Sequence, residues 1–107
     1  KSPKSFNQYS PISDLPYSKR DLSFSIKDYS SYETLKKYIM RFEDKLLKEV
    51  FIFDYFYNKK NAEIKIGFRF VFQSVDSTIR EDQVNKIMGV IIKHTENIKG
   101  VTIPGLN

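Results

Sequence analysis

An α+β fold, with two helices on one face of a four-stranded antiparallel sheet, is predicted by three features of this 107-residue chain. Two segments, residues 21–27 and 63–73, place apolar side chains at every second position, as strands with one buried face do. Two others, opening near Ser30 and Thr78, carry apolar residues three and four apart behind helix-cap signals. An aromatic run from Leu47 to Tyr57 is joined to the second alternating segment by Asn58-Lys59-Lys60-Asn61, a turn sequence.

Residues 1–20, rich in Ser, Pro and Lys, read as a linker with an extended arm over Pro11 to Pro16, and residues 21–107 as the folded domain. The start at Lys1-Ser2-Pro3 suggests a piece of a longer protein. In the first strand Leu22, Phe24 and Ile26 form the buried face. Ser30 and Glu33 offer a capping box for the first helix, which continues through Leu35, Tyr38 or Ile39, Phe42 and Leu46. The aromatic run is the second strand. In the third, Ile64, Ile66, Phe68, Phe70 and Phe72 share one face and Lys65, Gly67, Arg69 and Val71 the other. Thr78 and Glu81 offer the second capping box, ahead of Val84, Ile87, Met88 and Ile91, and Gly100 closes that helix. Val101-Thr102-Ile103 is a short last strand.

This β-α-β-β-α-β order is the ferredoxin-like arrangement. Right-handed crossovers put both helices on one face and leave the other open, lined by Ser23, Ser25, Lys65, Gly67 and Arg69. Strict alternation in the second strand sets Val50 and Ile52 on the same side as Asp54 and Phe56. A bulge near Ile52 or Phe53 resolves this, freeing Val50 and Ile52 for the core while Asp54 and Phe56 point outward.

A chain that is 40% hydrophobic and 29% charged fits one domain with a single core. The absence of cysteine excludes disulfides and thiolate metal sites, and charge interrupts every apolar run well before bilayer length. Eighteen basic against thirteen acidic side chains give a net charge of +5, an excess that favours a polyanionic partner. Part of it is the Lys- and Asn-rich, Ala-poor usage of an AT-biased genome. No nucleophile with a base, paired acids or Gly-rich phosphate loop is signalled, so no catalytic residue is assigned. The single histidine, His94, falls near the end of the second helix, where a cation suits the helix dipole.

Asp54 is a carboxylate that interrupts the aromatic, β-branched stretch from Leu46 to Tyr57. Burial without a partner would cost several kcal/mol, on the order of a small domain's whole stability, so it faces solvent or a ligand beside Phe56. An RNA-recognition motif has the same element order, and Lys65-Ile66-Gly67-Phe68-Arg69-Phe70-Val71-Phe72 loosely matches its third-strand signature. The aromatics at 68, 70 and 72 are out of phase with the charges, however, which buries them instead of offering them to bases.

The ordered set Pro16-Tyr17-Ser18-Lys19-Arg20-Asp21-Leu22-Ser23-Phe24, then Leu47-Lys48-Glu49-Val50-Phe51-Ile52-Phe53-Asp54-Tyr55-Phe56, then Ile66-Gly67-Phe68-Arg69-Phe70 with Ser77-Thr78-Ile79, resembles the ferredoxin-fold anticodon-binding domain. That module belongs to the bacterial-type phenylalanyl-tRNA synthetase beta subunit. The resemblance implies that Phe56 stacks on the first anticodon base of phenylalanine tRNA and that Asp54 contacts it. Lys65 and Arg69 would bind phosphate or base edges, and Arg20 either RNA or a salt bridge anchoring the first strand. It further implies a catalytic alpha subunit as partner, with ATP and Mg²⁺ used by the parent enzyme outside this chain, and, with the AT-biased usage, a plastid or other organelle or a bacterial cytoplasm. Lys65, where the family commonly has Ser, and Arg80, where a Thr cap is frequent, depart from the pattern, as does the tail from Thr102 to Leu106. The residues alone leave open a ferredoxin-like interaction or regulatory domain without RNA affinity.

Overall fold

A computed structural model describes residues 17–74 and 78–104. The expected arm over Pro11 to Pro16, Ser77 and the tail from Gly105 to Asn107 lie outside the described residues. The elements are β1 (Ser18–Ile26), α1 (Tyr29–Arg41), β2 (Leu47–Asn58), β3 (Glu63–Phe72), α2 (Glu81–Glu96) and β4 (Val101–Thr102). They form one sheet in the order β2-β3-β1-β4, with every neighbouring pair antiparallel. The ferredoxin-like βαββαβ fold is therefore present. β1 starts at Ser18, three residues before the alternation becomes legible.

The core follows the two periodicities. Leu22, Phe24 and Ile26 face Phe68, Ile66 and Ile64 across the central pair of strands, and all six are buried. Against that face α1 lays Tyr32, Leu35 and Ile39, and α2 lays Val84, Ile87, Met88 and Ile91. Phe24 and Phe68 meet edge to face, with centroids 5.9 Å apart.

Both helix starts differ from the expected capping boxes. The N-cap of α1 is Asp28, whose Oδ1 accepts from the Ser30 backbone N–H at 3.0 Å and from its hydroxyl at 2.8 Å. A carboxylate suits this position because it satisfies one of the orphan N–H groups of the first turn and meets the positive end of the helix dipole. Phe42 is the C-cap of α1, so Leu46 lies beyond the helix, packed on the core from the connecting turn. For α2 the N-cap is Arg80, two residues after Thr78, and its backbone N–H is capped by Gln83 Oε1 at 2.8 Å. That helix ends at Glu96, before Gly100. Gly100 instead takes φ 82° in the turn entering β4, a left-handed conformation open to glycine.

The expected bulge is present. Ile52 pairs with Phe68 and Asp54 with Gly67, so Phe53 is the extra residue of β2; a second shift lies between Leu47 and Glu49. Val50 is buried as expected, but Ile52 is 37% exposed. It occupies the helix-side face of an edge strand.

Candidate nucleic-acid interface

The sheet face away from the helices is built in cross-strand rungs. From one end they run Lys19–Val71–Glu49, Asp21–Arg69–Phe51, Ser23–Gly67–Asp54 and Ser25–Lys65–Phe56. Side chains paired across a rung share a face, so the bulge brings Asp54 and Phe56 onto the face that carries Lys65 and Arg69. Asp54 is exposed, and Phe56 keeps 56% of its surface free. An exposed carboxylate, a flat aromatic ring and an exposed lysine thus occupy adjacent positions, a set able to stack on a base, accept from its edge and meet a phosphate.

Arg69 is on the same face but engaged. Its Nε and Nη2 donate to Asp21 Oδ1 and Oδ2 at 2.8 and 3.0 Å, and its guanidinium stands over the Phe53 ring, 4.8 Å from the centroid. That bidentate bond holds the Asp21 carboxyl below the usual carboxylate range. Lys65 stands beside Glu63, whose carboxylate accepts from the Ser25 hydroxyl and is held low chiefly by that bond. Arg20 lies apart from this group. It pairs with Phe70, so it belongs to the helix side, where Nη2 bonds Glu81 Oε2 at 2.5 Å and Asn85 Oδ1 at 3.2 Å. Of its two expected uses the structure supports the salt bridge, which ties β1 to the first turn of α2.

Sequence reasoning missed Phe53 and the role of Gly67. A Cβ added at Gly67 would stand 2.8 Å from Phe53 Cζ, so the ring occupies the space the glycine leaves. The legible signal was the phase break itself, since a bulge sends two consecutive residues, here Phe53 and Asp54, to one face. Among the described residues no cluster of three or more His, Asp and Glu is placed to hold a metal, and no helix is long and apolar enough to cross a membrane. His94, in the last turn of α2, stacks on Tyr38 at 3.8 Å, remote in sequence and element from the open-face group.

A family model described as the ferredoxin-fold anticodon binding domain matches residues 13–103. The chain belongs to this family. The proteins it is similar to include a phenylalanine–tRNA ligase beta subunit of Bacteroides fragilis, 32% identical over 98 residues, covering 89% of this chain and 12% of that protein. A chloroplastic phenylalanine–tRNA ligase beta subunit of Gracilaria tenuistipitata is 28% identical over 78 residues, covering 72% of this chain and 11% of its own length. The chloroplastic/mitochondrial phenylalanine–tRNA ligase of Arabidopsis thaliana is 26% identical over 84 residues, covering 78% and 20% respectively. The chain therefore spans between about a tenth and a fifth of these relatives.

Proposed function

We propose that this domain is the anticodon-binding module of a phenylalanine–tRNA ligase beta subunit, holding phenylalanine tRNA by stacking Phe56 on the first anticodon base and accepting from that base with Asp54. The observation that carries this reading is the pairing of an exposed carboxylate with an exposed aromatic on the sheet face opposite α1 and α2. A guanine offers a ring N–H and an exocyclic amine, two donors that suit one carboxylate. Lys65 and Arg69 bring positive charge to the same face for the RNA backbone. Arg20 contributes by anchoring β1.

Aminoacylation, with its ATP and Mg²⁺, belongs in this reading to the parent enzyme and its catalytic alpha subunit, outside this chain. A plastid fits the AT-biased usage and the chloroplastic relatives, and a bacterial cytoplasm is the other compartment the relatives suggest.

The test compares the phenylalanine anticodon stem-loop with one substituted at its first base, each titrated with wild type and Asp54→Ala. Removing a negative charge should tighten binding to any RNA if electrostatics alone operates. Base reading predicts the opposite for the natural loop: affinity falls and discrimination is lost, at roughly 1–3 kcal/mol for a good base contact. Equal tightening for both loops would reject the reading role of Asp54. No measurable binding by wild type would favour an interaction domain without RNA affinity.

A further inference from the structure

Phe53 is the residue the bulge adds, and its ring lies where Gly67 has no side chain. A Cβ at Gly67 would meet Cζ at 2.8 Å and Cε2 at 2.9 Å, closer than such atoms pack. The Arg69 guanidinium covers the ring at 4.8 Å and is itself fixed by two bonds to Asp21. These four residues come from three strands, so the ring is tied across the sheet from β2 to β1.

We propose that Gly67, Phe53, Arg69 and Asp21 form a brace that sets the bulge and thereby aims Asp54 and Phe56, making Phe53, Gly67 and Arg69 positioning residues for base recognition. The inference rests on the RNA-reading role given above. Among the described residues β2 is an edge strand, paired on one side only, and residues 52–57 are all exposed. A bulge interrupts the ladder at the position where the carboxylate must be held still. Reading one base edge requires placement within about 0.5 Å, and neither neighbouring strand pairing nor burial supplies it here. The brace does. It calls for glycine at 67 because any side chain would take the seat of the ring, and for arginine at 69 because a planar guanidinium can bond a carboxylate bidentately while stacking on an aromatic face.

The test uses the whole 107-residue chain with Phe53→Ala, Gly67→Ala, Arg69→Lys and the conservative Phe53→Tyr. Gly67→Ala should fold, because it collides with the outer end of a ring that is 40% exposed and can swing into solvent. Two measurements are made: amide hydrogen exchange across residues 52–56, and the affinity ratio between the natural stem-loop and one carrying adenine at the first anticodon position. In the first three variants exchange at 52–56 should accelerate about tenfold or more while Phe68 and Phe70 keep their protection. The affinity ratio should fall by roughly tenfold. Arg69→Lys keeps the charge, so its loss of discrimination separates bracing from phosphate attraction. Phe53→Tyr should retain both properties. Unchanged exchange in Phe53→Ala overturns the brace, and so does faster exchange with discrimination intact. If wild type does not discriminate at all, the RNA reading fails instead, and the exchange data still decide whether the brace exists.

Discussion

Phe56 and Phe70 stand on neighbouring strands and opposite faces, and their exposures of 56% and 0% assign them different work. Phe70→Ala should cost about 3–5 kcal/mol of stability as a cavity mutation. Phe56→Ala should leave thermal stability nearly unchanged and weaken stem-loop binding by about 1–3 kcal/mol, the usual value of a base stacked on an aromatic ring. Thermal melts beside a binding titration check both, and a similar fall in melting temperature for the two variants would return Phe56 to the core. Glu49 supplies the opposite kind of residue. It is 3% exposed, its Oε2 has no hydrogen-bond partner among the described residues, and burial raises its carboxyl above the ordinary value. The sign follows from proton binding: the folded state holds the proton more tightly than the unfolded chain, so Glu49 subtracts stability as pH rises from its unfolded value towards its raised folded one. Glu49→Met should therefore stabilise at pH 7, by about 1–3 kcal/mol for removal of an unsatisfied buried acceptor. The gain should shrink below about pH 4.5, where the wild-type carboxyl is protonated. Denaturant titrations at the two pH values measure it. Asp21 titrates with the other sign. The Arg69 bond depresses its folded value, so its contribution is present above the ordinary carboxylate range and fades as acid approaches the lowered one.

The helix starts show what local pattern can and cannot tell. Ser30-x-x-Glu33 matches a capping box, yet Asp28 is the cap, and Glu33 is spent on the Tyr29 hydroxyl at 3.3 Å. Asp28→Ala should cost about 1 kcal/mol, whereas Glu33→Ala should cost only a few tenths, and chemical denaturation of the two variants distinguishes the expected cap from the observed one. A carboxylate two residues upstream of a serine competes for the same donors, and it prevails because it also complements the dipole. The turn between β2 and β3 gives a similar lesson. Asn58 and Asn61 both tolerate left-handed geometry, but the positive φ of 51° falls on Ala62, and Asn58 acts through its side chain, accepting from the Lys60 N–H at 3.0 Å. What was legible was periodic. The buried sets of β1, β3 and α2 repeat over enough residues to fix their faces, and a conflict of phase sufficed to locate the bulge. The Phe53–Gly67–Arg69 stack was hidden because it joins residues from two strands through a space defined by a missing side chain. No spacing along one chain segment carries that relation.

Across the whole molecule the net charge of +5 gives every RNA some attraction, so affinity alone cannot identify which side chains touch phosphate. The salt dependence can. Each phosphate neutralised on a single strand contributes about 0.7 to the slope of log affinity against log salt. Lys65, exposed and in register with Phe56, should hold one, so Lys65→Gln should reduce the slope by about that amount for the natural and the substituted stem-loop alike. Arg69 needs a different comparison, because neutralising it alone also strips Asp21 of its partner. The double change Asp21→Asn with Arg69→Gln removes the pair at constant net charge. If the guanidinium is committed to Asp21 and Phe53, the slope should stay at its wild-type value while discrimination at the first anticodon base drops. If the guanidinium meets phosphate when RNA arrives, the slope should fall as it does for Lys65→Gln, and the charge of Arg69 then belongs to the interface itself. Binding isotherms at four or five salt concentrations, run for both variants and both loops, separate the two outcomes, since one loses selectivity at constant slope and the other loses slope.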